Sequence, residues 1–429
     1  MKKEFSTIIN KIFTQCRKDG LIQLPIQNKT YDGKNAILNG KDFTFWGNCS
    51  YLGLETDARL KNGAIEAIER FGTQFSSSRA ALELGLYTEI EGLLSQMFGK
   101  PTLLSPTTSL GHIAIIPLMM GKGDALIIDQ KVHNSVKNGV FLAKSDGCHI
   151  ETLPHSRIDI LETRIQILRQ NYDRIWYFID GVYSMFGDIA PYQDIKSLLD
   201  KYEQFHLYVD DAHGMSWAGK NGTGTTIRDM GWHSRMILTT SLAKGFASCG
   251  GALVFDSVEQ LDLVRNCSST FIFSGPLQPA VLGASIAAAK IHLSQDITKY
   301  QDELIDLINF FLSYAERLNL PILSLDVKPI FYIGLGKLEI GNKMSKLLMT
   351  HGQYVNNMAF PIVPANNCGI RVCITRHHTK EDIKGLSDLV ADALYFYLKE
   401  EGEDINDIFE AFDLVPQKKD NSLIALRAN

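Results

Sequence analysis

The feature that most constrains the fold is a regular alternation of short apolar runs with helical stretches, which begins near residue 57. The runs, each bounded by turn residues, are TLLSP at 102, DALIID at 124, HIETLP at 149, RIWYFID at 174, HLYVDD at 206, MILTTS at 236 and GGALVF at 250. Apolar strands separated by helices are typical of a mostly parallel sheet with helices on both faces. The sequence therefore predicts an α/β fold.

The pattern changes on both sides of this region. Residues 1–20 have the amphipathic pattern of a helix, and residues 34–47 read as a hairpin whose Asn39-Gly40 turn supplies positive φ angles. Long helices, two strands near 329–335 and 370–375, and a closing helix predict a smaller C-terminal α+β domain. We predict an N-terminal arm at 1–56, a large cofactor-binding domain at 57–285, a small domain at 286–400, and an acidic, amphipathic tail at 401–429.

Composition excludes several classes of protein. With 429 residues, 45% hydrophobic and 21% charged, the chain can form a sizeable core, and disorder is excluded. A net charge of −5 with mixed signs argues against nucleic-acid binding. No apolar run approaches the roughly 20 residues of a membrane helix, and the N-terminus lacks the apolar region of a signal peptide. The seven scattered cysteines indicate neither disulfides nor a metal site. We expect a cytoplasmic protein with a small-molecule partner.

The segment TTSLAKGFASCGG (239–251) is the most specific one for chemistry. It places Lys244 between Ser241 and Gly245 at the end of a predicted strand, so that a loop of small residues presents an amine beside hydroxyl and backbone donors. A lysine that forms a Schiff base near a phosphate requires this arrangement. Taken alone, the segment favours a surface lysine in a turn between strands.

A second segment, LYVDDAHG (207–214), ends an apolar strand in two aspartates and a histidine. Open α/β sheets bind ligands at the carboxyl ends of their strands. A buried carboxylate is costly there, but its charge is useful opposite a protonated pyridine nitrogen. We predict this role for Asp210, a hydrogen bond to the ring's phenolic oxygen for His213, and a position under the ring for Ala212. The alternative for Asp210 or Asp211 is a helix N-cap or a solvated turn.

Two further segments complete the predicted site for pyridoxal 5′-phosphate. DQKVHNSVKNG (129–139) places His133 directly after a strand, where its imidazole can stack on a flat heterocycle or serve as an ordinary hydrogen-bonded histidine. SPTTSLGHIAI (105–115) puts hydroxyl residues before a helix whose N–H groups and dipole can receive a phosphate. A plain N-cap at Thr107, Thr108 or Ser109 is compatible with phosphate binding.

The chain resembles a known family over about residues 45–398. The matching segments are YLGL (51–54), DGVYSMFGDIAPY (180–192), VDDAHG (209–214), TTSLAKGF (239–246), FIFSGPLQPA (271–280) and GIRVCIT (369–375). Through them the sequence is similar to the α-oxoamine synthases, which are fold type I pyridoxal-phosphate enzymes. The resemblance implies a seven-stranded sheet with one antiparallel strand, a homodimer, and an active site at the dimer interface.

The resemblance also implies roles for individual residues. The implied roles are ring stacking for His133, contact with the phenolic oxygen for Ser184 and His213, pairing with the pyridinium for Asp210, phosphate binding for Ser241, the internal aldimine for Lys244, contact with the neighbouring subunit's phosphate for Ser274, and binding of the substrate carboxylate for Arg371. A guanidinium fork suits a carboxylate. Thr108 and Ser109 stand where relatives have a glycine and an aromatic residue beside the phosphate.

Other departures lie on the substrate side. Asn48, Cys49 and Ser50 precede Tyr51 where many relatives read S-N-D-Y, and the glycine-rich stretch of the family appears as GTQFSSSR (72–79). The histidine expected soon afterwards is Tyr87 or Thr88. Because the cofactor residues are kept while these positions differ, the sequence favours a specialised branch over ordinary aminooxononanoate or aminoketobutyrate synthesis.

The predicted reaction is a decarboxylative condensation of an amino acid with an acyl thioester, carried on coenzyme A or on an acyl-carrier protein, to an α-aminoketone. Lys244 would remove the Cα proton, Asp210 would support the ring cation, and His133 would donate to the thioester oxygen. One alternative is a different pyridoxal-phosphate reaction, such as that of an aminotransferase, aldolase or lyase. The other is a silent subunit of a heterodimeric synthase, against which the presence of Lys244 argues.

Overall fold

The computed structural model describes residues 2–360, 363, 364, 366–412 and 414. These residues form two compact units, one of residues 49–305 and the other of residues 2–48 with the described residues from 306 onward. The predicted domains have boundaries at 56/57 and 285/286, whereas these units divide at 48/49 and 305/306, and the N-terminal arm is grouped with the C-terminal part. Residues 413 and 415–429 of the predicted tail lie outside the described residues.

Helices and strands alternate through most of the chain. The helices are α1 (Lys2–Lys18), α2 (Ala58–Phe71), α3 (Gly85–Phe98), α4 (Thr108–Met119), α5 (Asn134–Ala143), α6 (Ile158–Leu168), α7 (Tyr192–Lys201), α8 (Thr225–Asp229), α9 (Val258–Cys267), α10 (Ser269–Ile272), α11 (Pro279–His292), α12 (Asp296–Arg317), α13 (Leu338–Thr350), α14 (Lys380–Glu401) and α15 (Ile405–Ala411). The strands are β1 (Asn35–Leu38), β2 (Lys41–Phe45), β3 (Thr102–Ser105), β4 (Asp124–Asp129), β5 (His149–Leu153), β6 (Arg174–Asp180), β7 (Phe205–Asp210), β8 (Met236–Ser241), β9 (Gly251–Val254), β10 (Ile330–Gly336), β11 (Gln353–Tyr354), β12 (Asn356–Met358) and β13 (Cys368–Cys373).

The larger unit contains a seven-stranded sheet of order β3-β9-β8-β7-β6-β4-β5. Its strands are the seven apolar runs of the sequence, and only β9 runs antiparallel to its neighbours β3 and β8. The prediction of a mostly parallel sheet with one antiparallel strand is therefore confirmed. The register aligns Asp180 at the end of β6 with Asp210 at the end of β7, and Asp210 with Thr239 of β8. The carboxyl ends of three neighbouring strands thus meet at one edge.

Helices α4 and α5 cover this sheet through a continuous apolar cluster. Ile115 and Ile116 of α4 and Val140 of α5 are fully buried in it with Phe178 of β6. The two helices approach closely at Gly139, because a Cβ atom there would lie 2.8 Å from Ile116 and 3.1 Å from the backbone oxygen of His112. The close packing fixes the start of α4 relative to the sheet.

The C-terminal unit has an antiparallel sheet of order β10-β13-β12. The predicted hairpin is present as β1 and β2, with positive φ angles at Asn39 and Gly40, and β2 also pairs in parallel with β11. Helix α14 begins with a capping box between Thr379 and Asp382. The smaller α+β architecture is therefore confirmed. None of the helices in the described part of the chain is both long and apolar enough to span a bilayer.

Candidate active site

A cavity of about 290 Å³ opens at the carboxyl edge of the seven-stranded sheet. The ends of β6, β7 and β8 and the starts of α4 and α5 contribute its walls. The residues of the predicted site that line it are Thr108, Ser109, His133, Asp210, Ala212, His213, Ser241 and Lys244. The fold therefore brings together four segments that are far apart in the sequence, at the edge where open α/β sheets bind their ligands.

Asp210 is a buried carboxylate that stays charged. One of its oxygens accepts the backbone N–H of Ala212 at 3.1 Å, and the other lies 3.0 Å from Nε2 of His112. Burial acts to raise the pKa of Asp210, but His112 and the charges of Lys244 and His133 outweigh it and hold that pKa below its usual range. The cavity therefore has a negative charge at its floor.

Asp180 lies opposite Asp210 on the neighbouring strand, and its pKa is shifted in the opposite direction. Burial and the charge of Asp210 raise the pKa of Asp180 well above its usual range. Its carboxyl oxygen accepts the backbone N–H of His133 at 3.0 Å, which ties the end of β6 to the start of α5. The pKa values of the two neighbouring carboxyl groups thus move in opposite directions. The sequence prediction missed Asp180, although it ends an apolar strand just as Asp210 does.

His133 is the N-cap residue of α5, and its ring is held by Ser135. The backbone N–H and the hydroxyl of Ser135 lie 3.3 and 2.6 Å from Nδ1. Because Nδ1 accepts the backbone N–H, the neutral ring carries its proton on Nε2. His133 as a whole residue is exposed, but its ring is partly buried, and this burial lowers the pKa of the ring. The charge of Asp210 opposes the shift, and the charge of Lys244 reinforces it. The ring is therefore a neutral donor through Nε2 near pH 7.

Helix α4 presents its N-terminus to the cavity. Thr107 is the N-cap, since its hydroxyl oxygen accepts the backbone N–H of Leu110 at 3.1 Å. This leaves Thr108 and Ser109 in the first turn, where free N–H groups and the helix dipole favour an anion. The approach depends on Gly251 of β9, because a Cβ atom there would lie 2.7 Å from Cα of Thr108.

Lys244 lies in the connection from β8 to β9, which is a closed turn rather than a loose loop. The N–H of Leu242 donates to the oxygen of Gly250 at 3.0 Å, and the N–H of Ala247, at a positive φ of 62°, donates to the oxygen of Lys244 at 2.8 Å. Ser241 stabilises the entry to this turn by accepting the N–H of Ala243 at 3.2 Å. The turn thus holds the lysine next to the two aspartates and His133.

His213 and Asp211 complete the VDDAHG segment in different ways. Nδ1 of His213 lies 2.7 Å from the hydroxyl of Tyr51, a fully buried residue of the YLGL segment with a positive φ of 34°. Asp211 does not line the cavity; it accepts the hydroxyl of Thr225 and the N–H of Thr226, both at 2.8 Å. Asp210 therefore lies at the cavity, whereas Asp211 is a fully buried carboxyl that is neither in a solvated turn nor the N-cap of α8, a position held by Gly224.

Three predicted residues are not among those that line the cavity. Ser184 follows β6, and Ser274 follows α10, where its hydroxyl donates to the oxygen of Thr270 at 2.6 Å. Arg371 is buried in β13 of the C-terminal unit, paired in register with Tyr332 and Asn356. Their roles stay predictions.

The residues of this cavity fit pyridoxal 5′-phosphate. A charged carboxylate at the floor matches a protonated ring nitrogen, the first turn of α4 matches a phosphate, and Lys244 supplies an amine between them. His112, which sequence analysis also missed, supports the carboxylate from below.

Comparisons with known proteins agree with this geometry. The family model for aminotransferase class I and II matches residues 49–388. The chain is 31% identical over 357 residues to 8-amino-7-oxononanoate synthase of Fervidobacterium nodosum, covering 82% of this chain and 88% of that protein. It is 30% identical over 376 residues to the synthase of the same name from Alkaliphilus metalliredigens, covering 86% and 92%.

The solved structures agree in fold. A serine palmitoyltransferase from S. paucimobilis with a bound PLP–myriocin aldimine superposes with a TM-score of 0.83 at 22% identity, covering 94% of this chain and 99% of that one. The chain belongs to the aminotransferase class I and II family, among the α-oxoamine synthases, whose cofactor is pyridoxal 5′-phosphate.

Proposed function

We propose that this protein condenses an amino acid with an acyl thioester, releases carbon dioxide and the thiol, and forms an α-aminoketone. The observation that carries the proposal is the cavity in which Lys244, a charged Asp210 and a neutral His133 meet the N-terminus of α4. The relatives named as 8-amino-7-oxononanoate synthases match along most of both chains, which supports this reaction class over other reactions of the fold.

When bound, pyridoxal phosphate supplies an aldehyde for an amine and an electron-withdrawing ring that stabilises a carbanion. Asp210 would hold the proton on the ring nitrogen, since its carboxylate is the charged member of the Asp180–Asp210 pair. The first turn of α4 would bind the phosphate, with Thr108, Ser109 and Ser241 adding hydroxyl groups.

The protons are moved by Lys244 and His133. The free amine of Lys244 would take the proton from Cα of the amino acid and later return one to the product, as a general base and acid. Nε2 of His133 carries a proton in the neutral ring and would donate it as a hydrogen bond to the thioester oxygen, where negative charge develops. Neither role needs a proton from bulk water.

The remaining predicted residues serve the substrates and the assembly. Arg371 would bind the carboxylate of the amino acid, and Ser184 would contact the phenolic oxygen of the ring. Ser274 would reach the phosphate of a partner subunit in a homodimer: it follows Phe273, whose side chain is 84% exposed, and it does not line its own cavity. The acyl chain would arrive on coenzyme A or on an acyl-carrier protein.

We place this activity in the cytoplasm. All seven cysteines lie within the described residues and are free thiols, which suits a reducing compartment.

The test is a product assay with a panel of amino acids and acyl thioesters. We expect carbon dioxide and free thiol in equal amounts, and we expect Lys244→Ala to lose activity by a factor of about 10³ or more because proton transfer is lost. Lys299→Ala is the matched control, since that lysine is 72% exposed, and it should keep the parent rate. A keto acid product without thiol release would refute condensation, and full activity of Lys244→Ala would refute the site.

A further inference from the structure

His112 is a residue of α4 that lies within hydrogen-bond distance of two residues of strand β7. It is fully buried in α4, one turn after Thr108. Its Nε2 lies 3.0 Å from the carboxylate of Asp210, and its Nδ1 lies 2.8 Å from the hydroxyl of Tyr208. Tyr208 and Asp210 are two positions apart on β7, so their side chains point to the same face of the sheet. The side chain of His112 thus links the hydroxyl of Tyr208 and the carboxylate of Asp210 to helix α4.

The direction of these hydrogen bonds follows from the groups involved. A charged carboxylate only accepts, so Nε2 of His112 must donate to Asp210 in either protonation state of the ring. Burial and the charge of Asp210 raise the pKa of Tyr208 well above its usual range, so Tyr208 keeps its proton. Its hydroxyl can donate to Nδ1 of a neutral ring or accept from a charged one. The contact therefore survives a change of charge on His112.

His112 differs from the other charged groups that act on Asp210, because it also donates a hydrogen bond to it. Lys244 and His133 act on Asp210 through their charges, and Asp180 is the second carboxyl of the pair. The N–H of Ala212 donates to one oxygen of Asp210, and His112 donates to the other. Removing His112 takes a hydrogen bond away from a buried carboxylate, which lowers the preference of that carboxylate for the charged form.

We propose that His112 is a positioning residue that keeps Asp210 ionised and correctly oriented, and thereby sets how tightly the site holds the ring nitrogen of pyridoxal phosphate. The inference rests on the proposed function, because it needs the cofactor to bind in this cavity. It goes beyond that function in assigning the strength of cofactor binding to a residue that does not line the cavity.

The experiment compares two probes, pyridoxal phosphate and its 1-deaza analogue, which lacks the ring nitrogen. Dissociation constants for both are measured by titrating apoprotein of the parent and of His112→Phe, together with the thermal midpoint of each apoprotein. We expect His112→Phe to weaken the binding of pyridoxal phosphate at least about tenfold, as loss of a charge-assisted hydrogen bond would. Binding of the deaza analogue should change less than about twofold, since Asp210 has no ring nitrogen to hold.

Two conservative variants complete the design. His112→Gln places an amide N–H where Nε2 lies, and it should restore most of the affinity for pyridoxal phosphate. Tyr208→Phe removes only the outer hydroxyl, so it should weaken pyridoxal phosphate about threefold and leave the analogue unchanged. If His112→Phe does not fold, it will show no thermal transition. The inference is then tested by the dissociation constants of His112→Gln and Tyr208→Phe for pyridoxal phosphate and for the deaza analogue.

The outcomes separate the inference from the function on which it rests. If His112→Phe loses affinity equally for both probes, His112 has a merely structural role. If it loses affinity for neither probe, His112 has no role in cofactor binding. Either result overturns the inference while the function stands. A parent apoprotein that binds neither probe would overturn the proposed function as well.

Discussion

Asp210 and Asp211 are adjacent in the sequence, but their carboxyl groups lie in different surroundings. Asp210 ends the strand facing the cavity, whereas Asp211 turns into a space bounded by Gly181, Gly214 and Gly224, where any added Cβ atom would collide with its carboxyl. Asp211 is fully buried, and its carboxyl accepts the hydroxyl of Thr225 and the N–H of Thr226. Its carboxyl therefore anchors the segment that carries Asp210.

This burial predicts a pH-dependent stability for which Asp211 is responsible. Burial raises the pKa of Asp211 to about 6, above the ordinary value of an aspartate, which is about 4. A raised carboxyl pKa contributes stability that is fully present below the unfolded pKa, near 4, and is lost as the pH rises through about 6. Asp211→Asn does not titrate, so its free energy of unfolding should rise relative to the parent by about 3 kcal/mol between pH 4 and pH 7.

Urea unfolding of both proteins across this range measures the difference directly. The profiles should diverge between pH 4 and pH 6 and then run parallel. Parallel profiles throughout would mean that Asp211 keeps an ordinary pKa in the folded protein.

At the residue scale, the sequence predicted Lys244, Asp210 and His133 because each combines a reactive side chain with the end of an apolar strand. It could not predict the contact of His112 or the raised pKa of Asp180. His112 reaches Asp210 only through the rotation of α4 on the sheet, and Asp180 becomes coupled only through the register of β6 with β7. Contacts between residues 98 or 30 positions apart are not encoded in a local pattern.

At the scale of elements, helices α2 and α11 approach each other through glycines. A Cβ atom on Gly63 would lie 2.6 Å from the backbone oxygen of Gly283, and one on Gly283 would collide with the backbone oxygen of Gly63. The two helices therefore touch backbone to backbone, with Ala67 and Ala287 as further small neighbours. The contact tolerates no added methyl group on either helix.

We therefore expect Gly283→Ala to destabilise the protein by about 1–3 kcal/mol, the usual cost of overpacking. Gly92→Ala is the matched control, because Gly92 also lies inside a helix, α3, but has open space around its Cβ position. Since alanine favours the helix, that change should stabilise by about 0.5–1 kcal/mol. Denaturant unfolding gives both values, and an unchanged or higher stability of Gly283→Ala would contradict the packing described.

The elements themselves could largely be predicted from the sequence. All seven runs became strands of one sheet: six of them are almost fully buried, and the seventh, β5 at the edge of the sheet, is mostly half-buried. The grouping of the N-terminal arm could not be predicted, since it depends on the parallel pairing of β2 with β11, about 310 residues later. Local periodicity predicts which face of a strand or helix is apolar. It does not predict which distant strand will pack against that face.

At the scale of the whole molecule, the expected homodimer makes each active site a joint product of two chains. Co-expression of Lys244→Ala with Ser274→Ala tests this expectation. If Ser274 serves the partner's phosphate, the mixed dimer contains one site with both residues intact, and about one quarter of all sites should bind the cofactor at parental affinity. Each variant alone should show none.

Tagged chains allow the mixed dimer to be purified, and the cofactor bound at parental affinity is then counted by absorbance. If Ser274 serves its own chain, no site in the mixed dimer regains parental affinity. A monomer in sedimentation at micromolar concentration would contradict the shared site more directly.

The contact between α4 and β9 limits which residues near the cavity can be substituted. Gly251 on the strand and Gly111 on the helix leave no room for a side chain, since a Cβ atom on Gly111 would lie 2.5 Å from Leu253. A Cβ atom on Gly251 would lie 2.7 Å from Cα of Thr108, so a larger residue at Gly251 would displace the first turn of α4 and its amide donors together. Thr108 and Ser109, whose side chains can vary without moving that turn, are the positions through which selection can adjust the site in small steps.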